Sequence, residues 1–138
     1  MKVSTFILEI VTPDHLAYSG EVESLTVRGV EGDLGILPGH IPMVTPLQVA
    51  PLTIKTGNKT SQIAVNGGFV EVRKDKVVVL AESAEAAEEI DLQRAQAAKE
   101  RAERRLANAD KQAEIDYRRA ELALQKAINR INVHSNNK

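Results

Sequence analysis

The chain has 138 residues, a formal net charge of −1, four aromatic residues and no cysteine. That balance gives no electrostatic case for nucleic acid, and Phe6, Tyr18, Phe69 and Tyr117 are too scattered to stack bases. The lack of cysteine excludes disulfides, zinc–thiolate sites and thiol catalysis, and fits a reducing compartment. No apolar run approaches the roughly 20 residues of a membrane span. The start, Met1 to Ile10, lacks the long apolar segment and small-residue cleavage site of a secretory signal. The expectation is a soluble intracellular protein.

The sequence divides in two. All five prolines and all eight glycines lie at or before Gly68. Beyond Ala84 the chain is rich in Ala, Glu, Arg, Lys, Gln and Leu. This is a change from strand chemistry to helix chemistry.

The first part reads as short strands. Val3 to Val11 is β-rich and stops at Thr12-Pro13-Asp14. Val22 to Val30 follows, with Leu25 and Val27 on one face by the two-residue period. Gly32 to Pro42 interleaves glycine and proline with Leu34, Ile36, Leu37 and Ile41. Such a stretch follows a defined irregular path, either as a buried connection or as a rigid loop shaped for a partner. Met43-Val44 and Leu47 to Lys55 come next, with Pro46 and Pro51 marking an edge or bulge. Thr56-Gly57-Asn58-Lys59 turns the chain into Ser61 to Val65, and Asn66-Gly67-Gly68 turns it again. Phe69 to Arg73 and Val77 to Leu80 form a last hairpin around Lys74-Asp75-Lys76. Many short strands at this spacing predict a two-sheet sandwich or flattened barrel.

The second part reads as two helices. The first spans about Asp91 to Leu106, with Asp91 as N-cap. Asn108-Ala109-Asp110 marks the break, and the second helix spans about Glu114 to Ile131. Tyr117, Ala120, Leu124, Ile128 and Ile131 make an apolar stripe on it; Ala95, Ala98, Ala102 and Leu106 make one on the first. Each buried CH₂ is worth about 0.8 kcal/mol, so a seam built on alanine is weak. The hairpin is therefore expected to leave the sandwich easily. Ile115 and Leu122 lie on the opposite side of the second helix from Leu124. Arg119, Lys126 and Arg130 form a basic stripe there, and Arg94, Arg101 and Arg105 form another. These are either solvated faces or a surface for an anionic ligand or an acidic partner helix.

No catalytic constellation appears. His15, His40 and His134 have no ligand nearby at metal spacing. Gly57-Asn58-Lys59-Thr60 lacks the glycines of a phosphate loop. Glu85, Glu88 and Glu89 read as favourable charge ahead of a helix N-terminus. The residues alone therefore lead to a free-standing adaptor, a β-sandwich with a partner-binding hairpin and no nucleotide role. An enzyme is disfavoured.

The string Gly32-Asp33-Leu34-Gly35-Ile36-Leu37-Pro38-Gly39-His40-Ile41-Pro42 closely resembles the loop that marks the epsilon subunit of bacterial F-type ATP synthase. The resemblance extends to Val11-Thr12-Pro13-Asp14 and to Gly67-Gly68-Phe69-Val70-Glu71-Val72. It continues through Ile90-Asp91-Leu92-Gln93-Arg94-Ala95 to Arg119-Ala120-Glu121-Leu122-Ala123-Leu124, in order along essentially the whole chain. The helical half is most similar to versions from Bacillus-type bacteria.

This resemblance implies an α+β chain, mostly β and then α. A ten-stranded β-sandwich over residues 1–84 would bind the gamma subunit and the c-ring, with Asp33 and His40 at that junction. A regulatory antiparallel two-helix domain would cover residues 85–138. The chain would be a non-catalytic part of the central stalk, monomeric when isolated. It would be peripheral on the cytoplasmic face of the bacterial membrane, with no nucleic-acid partner. Folded down, the helices would permit ATP hydrolysis. Extended, they would block it, with basic residues such as Arg119 facing the beta subunit and the alpha subunit nearby. No cofactor is required, but a regulatory ATP would be held by Glu85, Ile90, Asp91, Arg94, Ala95, Arg101, Lys126 and Arg130. Lys126 stands where close relatives carry arginine; it keeps the charge and loses the bidentate fork.

Overall fold

A computed structural model describes residues 4–108 and 114–136; the side chains of residues 114 and 115, including Ile115, also lie outside the description, as does most of the expected break at 108–110. Eight strands precede two helices. They are β1 (Phe6–Val11), β2 (Leu16–Val22), β3 (Ser24–Gly29), β4 (Gly32–Ile36), β5 (Met43–Thr56), β6 (Lys59–Val72), β7 (Lys76–Ala81) and β8 (Ala84–Ala86). A short 3₁₀ turn (Ala87–Glu89) leads into α1 (Leu92–Ala107) and α2 (Glu114–Asn136).

The strands run in the order β2-β1-β7-β6-β5-β3-β4, with β8 also on β6. All pairs are antiparallel except β1 with β7. The count of eight among the described residues corrects the expected ten. Two strands of 14 residues each do the work of several short ones. β5 runs through Pro46 and Pro51 without breaking. β6 changes partners partway: Ile63–Val65 pair with β8, and Gly68–Val72 pair with β7. The bend between them falls at Gly67 and Gly68, whose φ values are +87° and +131°. A Cβ on Gly68 would lie 2.0 Å from the Leu80 carbonyl oxygen, so only glycine fits this crossing.

β2 and β4 also depart from the sequence expectations. Leu16–Val22 lacks clear alternation, yet it pairs along β1 and closes one edge of the sheet. The first half of the Gly32–Pro42 stretch is not loop: Gly32–Ile36 is an edge strand on β3. Residues 37–42 are the true loop, and Leu37 and Ile41 in it are 62% and 78% exposed. The domain boundary expected after residue 84 falls inside β8, because Ala84–Ala86 completes the sheet before the chain turns helical.

The main core is made of branched aliphatics from both layers, with Leu8, Ile10, Leu25, Ile36, Leu52 and Ile54 almost wholly buried. Along β6, Ile63, Ala64, Val65 and Asn66 are all buried. Ile63 and Val65 face that core. Ala64 instead joins a second, small cluster with Ala87, Ile90 and Val133, formed where α2 lies on the sandwich. A strand covered on both faces loses its alternation of exposure.

The helices begin and pack as their sequences dictate. The Asp91 carboxylate accepts a hydrogen bond from the Arg94 N–H at 3.1 Å, which caps α1. α1 packs chiefly on α2, while α2 also packs on β5 and β6. Ala95 and Ala102 of α1 are buried, as are Ala120 and Ala127 of α2, so the helix seam is built on alanine. The expected stripe on α2 needs correcting. Tyr117 and Ile128 are 44% and 37% exposed, whereas Ala127, Asn129 and Val133 are buried. α2 serves two partners at once, and its sandwich-facing side lies off the stripe that hydrophobicity marks. For the same reason it continues past Ile131 to Asn136, whose side-chain amide donates to Gln62 Oε1 at 3.2 Å.

Candidate functional site

Where β8, the 3₁₀ turn, α1 and α2 converge, they enclose a cavity of about 430 Å³. Alternation along β8 buries Ala84 and turns Glu85 outward. Glu89, at the end of the turn, accepts a hydrogen bond from the Ala86 N–H at 3.3 Å. Asp91 lies at the rim as N-cap. Arg94 and Arg101 are two turns apart on one face of α1, and the small side chains of Ala95 and Ala98 between them leave the space open. From α2, the Arg130 Nε donates to Glu85 Oε1 at 2.5 Å, with both side chains 29% exposed.

Three guanidinium groups thus face three carboxylates around one cavity. Arginine forks match phosphate and carboxylate oxygens in pairs, so the chemistry suits an anion with several oxygens. Six of the eight residues expected at a nucleotide site line the cavity: Glu85, Asp91, Arg94, Ala95, Arg101 and Arg130. The other two do not. Ile90 is buried in the small apolar cluster under the turn. Lys126 is half-buried on α2 and does not reach the lining. Sequence reasoning missed Ala98 as lining and took Glu89 only as helix-end charge. Glu88 faces another way, toward Tyr18, Lys59 and Asn136.

Beside the cavity, α2 is tied to the sandwich by amides. The Asn129 Nδ2 donates to the Val65 carbonyl at 3.0 Å and to Asn66 Oδ1 at 3.4 Å, and Asn66 Nδ2 donates to Ser83 Oγ at 2.6 Å. Asn129 Oδ1 is buried with no hydrogen-bond partner among the described residues. The local sequence did not single out Asn129, because Gln125, Lys126, Arg130 and Asn132 around it are polar too.

The residues expected to meet partners lie elsewhere. Asp33 is on β4, paired with Arg28 at 3.1 Å. His40 lies in the exposed loop, its Nδ1 2.8 Å from the Ile41 carbonyl oxygen. Arg119 is exposed on α2 and takes no part in the cavity. The sheet carries a further feature that sequence reading did not find. Strand register aligns Pro46, Phe69, Leu80, Val11 and Leu16 in one row across β5-β6-β7-β1-β2. Phe69, Leu80 and Leu16 are each about half exposed, a contiguous apolar surface of the kind that marks a protein contact.

Among the described residues no cluster of His, Asp and Glu is arranged to hold a metal. No described helix is long and apolar enough to cross a membrane. A sandwich carrying a docked helical hairpin, with a charged cavity at the junction and an apolar sheet face, belongs to the class of binding and regulatory subunits. Comparison with known proteins makes the assignment specific. Residues 5–87 match the family described as ATP synthase, Delta/Epsilon chain, beta-sandwich domain, and residues 88–135 match its long alpha-helix domain. The ATP synthase epsilon chain of Bacillus cereus is 56% identical over 131 residues, covering 95% of this chain and 97% of the relative. That of Alkalihalophilus pseudofirmus is also 56% identical, covering 95% and 98%. Among solved structures, a chain of the Euglena gracilis mitochondrial ATP synthase (OSCP/F1/c-ring) superimposes with a TM-score of 0.76 at 28% identity, covering 91% of this chain and 78% of that one. The chain belongs to the ATP synthase delta/epsilon chain family. It is accordingly a structural and regulatory subunit of that complex rather than its catalytic chain.

Proposed function

We propose that this chain joins the rotor's central stalk to the c-ring of a bacterial proton-translocating F-type ATP synthase, on the cytoplasmic face of the membrane, and that ATP controls its hairpin. In this reading gamma covers the apolar sheet row, and the loop with Asp33 and His40 meets the c-ring. The hairpin inhibits ATP hydrolysis when it extends toward the beta and alpha subunits, with Arg119 turned to an acidic partner surface. ATP in the cavity holds the hairpin down and relieves that inhibition. The observation that carries the regulatory part is the cavity itself. Its arginines come from both helices and its carboxylates from the sandwich and the turn, so it is complete only while α2 is docked.

The energetics fit. A ligand at 100 times its dissociation constant stabilises the state it binds by about 2.7 kcal/mol. Docking rests on one fully buried valine, worth about 1.5–3 kcal/mol, and a few polar contacts. Calorimetric titration with ATP, with GTP as the control, tests the reading. Saturable binding at one site is expected, weakened at least about tenfold in Arg94→Ala, since hydrogen bonds to charged groups carry about 1.5–3 kcal/mol. No binding at millimolar ATP, or equal binding by Arg94→Ala, sinks the nucleotide part and leaves the rotor part standing.

A further inference from the structure

Asn66 and Gly67 form the one Asn-Gly step in the sequence. Such a step is chemically labile, because no side chain on glycine shields its nitrogen from the preceding asparagine Cγ. Here the step also lies where the hairpin meets the sandwich. Asn66 is 1% exposed and its carboxamide is held at both ends. Its Nδ2 donates to Ser83 Oγ at 2.6 Å, and its Oδ1 accepts from Asn129 Nδ2 of α2 at 3.4 Å. Gly67 is held less regularly. Asn66 pairs with Val49, and Gly68 pairs with Leu47 and Ala81, but Gly67 is paired in neither ladder. It is partly exposed, with φ +87°. Leu122, Gln125 and Ile128 of α2 line the same cleft as Asn66 and Gly67, so the docked helix covers the step.

We propose that Asn66-Gly67 is a deamidation site gated by the hairpin, protected while α2 is docked and reactive once α2 leaves, and that its product weakens the seat to which α2 returns. The inference needs a hairpin that leaves the sandwich, as the proposed function does, and no nucleotide. In the reaction the Gly67 nitrogen bonds to Asn66 Cγ and gives up its proton, and the side-chain nitrogen leaves as ammonia. Water then opens the succinimide ring at one of its two carbonyls, to aspartate or isoaspartate. Ring closure requires the carboxamide to turn away from Ser83 and Asn129. In the docked state that turn would leave buried amide groups unpaired. Undocking removes the Asn129 hold and lets water in. Neither product restores the seat. Isoaspartate adds a carbon to the main chain of β6 directly before Gly67 and Gly68, where the backbone has no room against the Leu80 carbonyl. Aspartate loses the donor that serves Ser83 Oγ and places a charge in the cleft that Glu82 also lines. Arg28, the cation lining that cleft, is already paired with Asp33.

The test is ageing of the full chain, of Val133→Ala and of the chain unfolded in urea, in heavy-oxygen water at mildly alkaline pH. Peptide mapping reads the label at residue 66. Val133 belongs to the small apolar cluster and not to the amide contacts of Asn66, so its truncation loosens the hairpin without altering the step. Label entry is expected to be slowest in the folded parent and fastest in urea. In Val133→Ala it should be about thirtyfold faster than in the parent, because a slow reaction of the open form follows the population of that form. Equal rates in parent and variant, with amide exchange of the helices quickened in the variant, overturn the gate and leave the movable hairpin standing. If Val133→Ala changes neither rate, the hairpin does not open and both readings fail. Label entry in the folded parent as fast as in urea also overturns the gate. Deamidated chains carry an extra negative charge and separate on ion exchange. Spin labels on cysteines introduced into the sandwich and α2, the chain having none of its own, then read the docked fraction. A lower docked fraction than in the unaged chain is expected, and an unchanged one overturns the weakened seat.

Discussion

The sandwich and the hairpin are built by different means. The sandwich buries leucine, isoleucine and valine between two layers, and its long strands are hydrogen-bonded to neighbours on both sides. The hairpin buries alanine between its helices and meets the sandwich through Val133, the carboxamides of Asn129 and Asn136, and an ion pair. Apolar burial scales with the area removed from water, so the first region holds itself together and the second is held on. A part that must leave its seat needs contacts that are specific but individually small. Amides and ion pairs supply this, because water replaces them at little net cost once they are exposed.

The comparison can be broken most forcefully in the sandwich. Gly68→Ala should cost at least about 3 kcal/mol, since its Cβ would run into the Leu80 carbonyl and its φ is closed to alanine. Urea unfolding followed by sheet signal checks this, and a loss confined to the hairpin would contradict the division drawn here.

Val133→Ala should come next. It removes two methyl groups from a fully buried site, at a cost of about 2 kcal/mol. Amide exchange along α1 and α2 should quicken about thirtyfold while the strands stay protected. Equal quickening in the strands would mean that sandwich and hairpin unfold as one unit. Asn129→Ala should cost about 1 kcal/mol of docking: it loses the bond to the Val65 carbonyl but also removes a buried acceptor that has no partner. The same exchange measurement reads it, and no change in the helices would assign Asn129 a role other than docking.

The smallest effect belongs to an exposed pair on the sheet. Arg73 donates to both carboxylate oxygens of Glu71, at 2.8 and 3.4 Å, and this holds the Glu71 carboxyl below its usual range while raising Arg73. A depressed folded-state carboxylate stabilises above the unfolded pKa, and the contribution is lost as pH falls through the folded value. Glu71→Gln should therefore lower stability slightly at neutral pH, flatten the acid limb, and make no difference once pH is below the folded value. A clear loss at neutral pH would show that this surface pair matters more than its exposure allows.

Much of this was legible beforehand, and what was missed follows a pattern. The hairpin turn at Gly57-Asn58, the Asp91 cap and the alanine face of α1 depend on neighbours in sequence, and each was read correctly. β2 was missed because an edge strand takes its stability from its partner β1, and its own residues alternate poorly. The stripe on α2 was misplaced because hydrophobicity marks one face. Tertiary contact chose two, and gave one of them to Asn129 and Val133.

The sequence by itself determined the division into strands and helices, where α1 begins, the weak seam between the helices, and, through its close resemblance to a known family, the set of residues to inspect. Only the tertiary structure decided that Glu85, Arg94, Arg101 and Arg130 face one cavity, that Ile90 and Lys126 stand outside it, and that the first carboxylate already holds the last arginine. Local order is set by backbone preferences that each short segment carries. The cavity is set by how three segments, up to 45 residues apart, come to rest on each other. That depends on the small volumes of Ala64, Ala95 and Ala98 as much as on any charged residue.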